Sequence, residues 1–189
     1  NTFQNFIAKN SCNTYVVGRT KNISQESSIN YLHYDLEKLT SNDFHKIFKK
    51  LKNINGICFT QRYRTKDEDD IQFINEANLM VGSVAKCMEA LIKFNDNKIA
   101  SNENFTRVIL IGSSYASKVG YDQSWSYHVC KAAQLSLVRF FSVRSNGYYS
   151  INLLSPDKYK NIKFHYSNER DYIDLWLMSL IKNNIVSRS

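Results

Sequence analysis

The sequence predicts an α/β fold in which a parallel sheet is covered by helices on both faces. Three observations carry that reading. Short β-branched and aromatic runs alternate along the chain with longer segments of helical apolar spacing. The length of 189 residues and a hydrophobic content of 43% suffice for one domain with its own core, burying about 70% of the unfolded surface. No internal repeat or linker-like stretch divides residues 1–189, so a single domain is expected.

The elements follow in order. Residues 3 to 10 carry apolar side chains at helical spacing, and TYVVGRT (14 to 20) reads as a buried strand ending at Gly18. INYLHYDL (29 to 36) reads as a second strand running into a polar turn. Ser41, Asn42 and Asp43 offer N-caps for a helix over about 43 to 52. INGICFT (54 to 60) is a third strand, and TKDEDD (65 to 70) a charged connector. One long helix is expected from about 71 to 94, with Ile74, Ala77, Met80, Val81, Val84, Ala85, Met88, Leu91 and Ile92 on its apolar side. An Asn-rich loop (94 to 105), a strand (107 to 112), a helix (125 to 144), a strand (149 to 154) and a helix within 168 to 182 complete the chain.

Composition narrows the function classes. No run approaches 18 consecutive apolar residues, so no membrane-spanning helix is expected. No basic–apolar–small leader opens the sequence, and cytoplasmic placement is the expectation. Cys12, Cys58, Cys87 and Cys130 form no CxxC or Cys/His cluster, so reduced thiols are expected and no metal site. The formal charge of +8 comes from Lys and Arg spread along the chain, which argues against a nucleic-acid partner. HKIFKKLK (45 to 52) reads as the polar face of an amphipathic helix. A general positive field also favours a phosphorylated cofactor or an acidic carrier-bound substrate.

The chemistry lies in VILIGSSYASKVGYDQSWSYHVCKAAQLSLVRFF, residues 108 to 141. This is a buried strand ending in Ser113 and Ser114, a loop, then a helix carrying Tyr127 and Lys131 one turn apart. Side chains four apart share a helical face. A cation close to a phenol favours its ionised form, so such a tyrosine exchanges a proton with substrate near neutral pH. A serine at the strand end can hydrogen-bond the same substrate oxygen. Tyr34 with Lys38 and Tyr159 with Lys163 repeat the spacing but lack the serine-tipped strand. His128 faces about 100° away from Tyr127 around the helix. Trp125, Tyr115 and Tyr121 flank the site, either as core or as walls of a substrate pocket.

Residues 108 to 156 resemble the second half of a short-chain dehydrogenase/reductase of the compact, single-domain type. The resemblance rests on the serine-ended strand, on Tyr127-x-x-x-Lys131 thirteen residues after Ser114, and on the strand running into Ser155-Pro156. It implies a Rossmann-like doubly wound parallel sheet with helices on both faces. It also implies a tetrad of Asn78, Ser114, Tyr127 and Lys131, with Ser113 as the fallback serine. Asn78 holds a proton relay to solvent, Ser114 orients the carbonyl oxygen, Tyr127 protonates it, and Lys131 tunes the phenol and holds the nicotinamide ribose. The strand end Gly18-Arg19-Thr20-Lys21 has no carboxylate. The implied cofactor is therefore NADP(H), with Arg19 on the 2′-phosphate and NAD disfavoured. Asp35 matches the aspartate that contacts the adenine.

The sequence also departs from the family. It has no counterpart of the first strand with its TGxxxGxG turn, nor of the last strand, and FTQRYR (59 to 64) replaces Asn-Asn-Ala-Gly. Arg62 and Arg64 there are surface cations or contacts for an anion. The expected activity is reduction of a ketone or oxoacyl carbonyl, or the reverse, on a small substrate that is free or carrier-bound. The alternative is a catalytically weak relative acting as a binding or scaffolding subunit. The resemblance further implies a homo-dimer or homo-tetramer, with Ala132, Leu135, Val138 and Phe141 compatible with the contact or with the core.

Overall fold

Parallel strands form the framework of each unit of this chain, whose computed structural model describes residues 14–19, 29–61, 63, 70–96, 106–113, 124–145 and 149–154. The chain divides into two compact units, one of residues 1–35 with 159–189 and one of residues 36–158. The expected helices at 3 to 10 and 168 to 182 lie outside the described residues, as does most of the Asn-rich loop.

In the first unit, β1 (Thr14–Gly18) pairs in parallel with β2 (Ile29–His33), with Val16 opposite Tyr31 and Gly18 opposite His33. β1 is less covered than its β-branched run predicted. Val16 and Val17 are half-buried, and Tyr15 is exposed. The strand ends are tied by two bonds: Tyr34 donates its amide to Gly18 O at 3.1 Å, and the His33 ring meets Arg19 O at 2.8 Å.

The second unit opens with α1 (Ser41–Leu51). Its N-cap is Thr40 rather than the Ser41–Asp43 group. The Thr40 hydroxyl accepts from the Asp43 amide at 3.2 Å and donates to Asp43 Oδ2 at 2.6 Å, while the Thr40 amide donates to the same oxygen at 3.1 Å. This is a reciprocal capping box. The Thr40 bonds, with Lys46 nearby, hold the Asp43 carboxyl below its ordinary value. The basic run behaves as expected. Lys46, Lys49 and Lys50 face solvent while Phe44, Ile47 and Phe48 are buried.

β3 (Gly56–Phe59), β4 (Thr106–Ile111) and β5 (Tyr149–Leu154) form a parallel sheet in that order. The register sets Ile57, Val108 and Ile151 side by side, and likewise Phe59, Leu110 and Leu153. Val108 and Leu110 are fully buried, as the middle strand requires. Thr106 Oγ1 donates to Ile54 O at 2.8 Å, satisfying its buried hydroxyl.

The single long helix expected over 71 to 94 is three segments. These are α2 (Asp70–Ala77), a π-turn (Asn78–Gly82) and α3 (Ser83–Asp96). The Ser83 amide bonds Asn78 O, five residues back, where an α-helix would reach four. The extra residue rotates the upstream face away from the downstream one. Ile74 therefore stands 55% exposed, although uninterrupted periodicity placed it inside, while Met80, Val84, Met88 and Leu91 are fully buried. α3 packs on α1 through Phe94 and Phe48, ring centroids 5.8 Å apart.

α4 (Trp125–Val143) follows β4 and is capped by Ser124. Tyr149 at the start of β5 donates its hydroxyl to Phe141 O at 2.7 Å, and burial pushes its phenol up to about 12. Phe141 belongs to the core, whereas Val129, Phe140 and Val143 are exposed.

The capping box gives a direct test. Thr40→Ala removes the acceptor for the Asp43 amide and a donor to its carboxylate, and should lower the unfolding free energy by about 1 kcal/mol in urea titrations. An unchanged midpoint would mean that α1 is held by its apolar face alone.

Candidate active site

Ligands of open α/β sheets collect outside the carboxyl ends of the strands, and Arg19, Asp35 and Ser113 follow such ends. In the second unit, Gly112 and Ser113 follow β4 and are buried. Ser114, Tyr115, Tyr121, Arg62 and Arg64 lie outside the described residues. α4 then presents Tyr127 and Lys131 on one buried face, 9% and 4% exposed.

The start of α4 is fixed by three hydroxyl bonds. Ser124 Oγ accepts from the Tyr127 amide at 3.2 Å, and the Ser124 and Ser126 hydroxyls meet at 3.0 Å. Ser126 Oγ donates to Glu76 Oε2 at 2.6 Å. Glu76 belongs to α2 and is 2% exposed. Its carboxylate therefore sits against the first turn of α4, where free backbone amides favour negative charge. Tyr127 packs with Met80 and Cys130, and with Phe73, Ala77 and Val81 around them. Trp125 is half exposed and stacks on Phe73 at 5.0 Å between centroids.

The Lys131 ammonium lies 5.5 Å from the centroid of the Tyr127 ring. It donates to Ile111 O at the end of β4 at 2.7 Å and to Gln134 Oε1 at 3.0 Å. Both acceptors are neutral, and a buried ammonium needs such partners. Gln134 Nε2 in turn donates to Met80 O at 2.7 Å. The neighbouring thiol of Cys130 is pushed up to about 11 by burial, with Glu76 adding to the effect and Lys131 opposing it. It therefore stays protonated near neutral pH. Cys58, Cys87 and Cys130 are free.

The π-turn forms another wall. Leu79 O accepts from Ser83 Oγ at 2.5 Å and from Gln61 Nε2 at 3.4 Å, and Gln61 also reaches Ser83 Oγ at 3.1 Å. Asn78 opens this turn and is exposed. Turns of this kind recur at functional sites because they break the helical bonding pattern locally. In the first unit, exposed Arg19 follows β1 and half-buried Asp35 lies two residues beyond β2, so both stand at the carboxyl ends of paired parallel strands.

The fold has counterparts among solved structures. A 4-hydroxyisoleucine dehydrogenase complexed with NADH and succinate superposes with a TM-score of 0.75 at 14% identity, over 96% of this chain and 85% of the other. A short-chain dehydrogenase/reductase from Vibrio parahaemolyticus gives 0.69 at 16%, over 94% and 85%. The chain has the short-chain dehydrogenase/reductase fold. A 3-oxoacyl (acyl-carrier-protein) reductase from Agrobacterium tumefaciens C58 with NADP bound gives 0.67 at 16%, over 82% of this chain and 64% of the other. No protein-family model matches the sequence, and no curated protein matches it either.

Within the short-chain dehydrogenase/reductase fold, the Tyr127–Lys131 pair and the Asn78 turn come together around Met80, as their shared contacts show. Sequence reasoning missed Glu76, Ser126, Gln61 and Gln134. Gln134 was detectable as a polar residue three positions after Lys131, on the same helical face. Gln61 sits in the FTQRYR segment, where attention fell on the arginines. Glu76 carried no signal, because its partner Ser126 is fifty residues away in sequence.

The Glu76–Ser126 bond predicts a stability effect. Ser126→Ala leaves a buried carboxylate without its hydroxyl donor and should cost about 2 kcal/mol in denaturant unfolding. A loss below about 0.5 kcal/mol would place the pair among solvated contacts.

Proposed function

We propose that this chain is an NADP(H)-dependent oxidoreductase that reduces a ketone or oxoacyl carbonyl to an alcohol, or runs the reverse reaction. The observation that carries the reading is the burial of Tyr127 and Lys131 on one face of α4, with the ammonium against the phenol ring at the end of β4. Solved structures of this fold add support, since they include complexes with NADP and with NADH.

The side-chain chemistry in the first unit suits such a cofactor. Arg19, at an exposed strand end, would carry the charge for a 2′-phosphate, and Asp35 would supply a polar contact to the adenine. When bound, the nicotinamide supplies hydride exchange with the carbonyl carbon. Tyr127 donates the proton to the carbonyl oxygen. Ser114, or Ser113 in its stead, orients that oxygen by hydrogen bonding. Lys131 keeps a positive charge beside the phenol and holds the ribose. Asn78, exposed at the mouth of the π-turn, connects the site to solvent for reprotonation. The substrate is a small carbonyl or alcohol, and the charge of +8 favours acidic or carrier-bound forms.

Assembly as a homo-dimer or homo-tetramer is part of this proposal, with exposed Val129, Phe140 and Val143 on α4 as the surface that contact would cover. Placement in the cytoplasm is also part of it. Among the described residues no helix is long and apolar enough to cross a membrane.

The test is a titration of NADPH and NADH against the full-length gene product by nicotinamide fluorescence, followed by turnover assays. NADPH should bind more tightly than NADH, and Arg19→Ala should erase the difference. Tyr127→Phe should lower kcat by about a hundredfold or more while leaving NADPH affinity close to wild type. Failure to bind either nucleotide would favour a scaffolding subunit instead.

A further inference from the structure

Gln134 stands between two buried groups of opposite hydrogen-bonding character. The Lys131 ammonium only donates and the Met80 carbonyl only accepts, so the amide has a single workable orientation. Oε1 faces Lys131 at 3.0 Å, and Nε2 faces Met80 O at 2.7 Å. The glutamine is 2% exposed, which leaves water little access to replace either bond.

The Met80 carbonyl belongs to the π-turn. There the Ser83 amide is drawn to Asn78 O, and side-chain donors fall on the next two carbonyls. Ser83 and Gln61 serve Leu79 O, and Gln134 serves Met80 O. Gln134 thus hydrogen-bonds both the lysine and the turn that Asn78 opens.

We propose that Gln134 is a positioning residue for Lys131, coupling the ammonium on α4 to the π-turn that carries Asn78. This inference rests on the oxidoreductase reading of the same site. In this role Gln134 acts through Lys131 rather than on a reacting atom. It acts by holding the ammonium against the Tyr127 ring and by fixing the turn beside it. Among the described residues, the titratable groups beside this lysine include Tyr127 and Cys130 on its own helix, and the charge of Glu76 from α2 reaches the same Cys130 thiol.

Two variants of the full-length protein separate positioning from simple packing. Gln134→Met keeps volume and removes both hydrogen bonds. It should lower kcat about tenfold, with a smaller rise in the KM for NADPH through the ribose contact of Lys131. Gln134→Glu keeps shape and an acceptor for Lys131 but sets a negative charge beside it. That charge offsets the ammonium's support of an ionised phenol. The pH–rate profile for oxidation of ethyl 3-hydroxybutyrate with NADP+ should move to higher pH by about half a unit or more.

A purely structural glutamine would lower stability and leave the kcat of Gln134→Met near wild type. If Gln134→Met fails to fold, a Gln134→Glu profile without a shift still overturns the inference. An active wild type with unshifted Gln134→Glu overturns this inference alone. A wild type that binds neither nucleotide and turns over neither ethyl acetoacetate nor ethyl 3-hydroxybutyrate removes the oxidoreductase reading, and this inference with it.

Discussion

A buried ammonium is the constraint around which the second unit of this protein is organised. Lys131 loses nearly all of its hydration, and an unpaired charge in such a place costs several kcal/mol. The chain meets that cost with a backbone carbonyl from β4, a side-chain carbonyl from its own helix and the face of an aromatic ring. Each partner imposes geometry. The carbonyl of Ile111 must end its strand under the helix, α4 must present Gln134 one turn on, and Tyr127 must lie one turn before.

The polar requirement extends outward from there. Gln134 needs an acceptor for its own amide and finds it in the π-turn. The π-turn exposes carbonyls that α-helical bonding would have used, and Gln61 and Ser83 cover one of them. Glu76, just ahead of the turn, takes the hydroxyl of Ser126 at the first turn of α4. A chain of satisfied polar groups therefore runs through a core otherwise built from Met80, Val84, Met88, Leu91, Val108 and Leu110. Buried networks of this kind are stable only when complete, because each missing partner strands another. The exposed Arg144–Glu89 pair at the far end of α4, 2.7 Å apart, adds little by comparison.

Much of the frame was legible in the residues. Strands at 14 to 18, 29 to 33, 56 to 59, 106 to 111 and 149 to 154 follow β-branched and aromatic runs, and α4 follows its amphipathic period. Tyr127 and Lys131 were legible as a pair because spacing of four guarantees a shared face. The break at Asn78 was not. A π-turn leaves no compositional mark, and it turned an expected continuous stripe into two, leaving Ile74 in solvent. The N-cap moved to Thr40 for a related reason. Several candidate caps stood together, and only the pairing with Asp43 selects among them.

The sequence by itself determined the α/β class and the shared face of phenol and ammonium, because both depend on local periodicity and on side-chain chemistry. Tertiary structure alone decided what satisfies that ammonium and which carbonyls the glutamines serve. Those partners, Ile111 and Lys131 twenty residues apart or Met80 and Gln134 fifty-four apart, meet only when strand, turn and helix pack. Hydrogen bonds across such distances are chosen by burial, which no local pattern records.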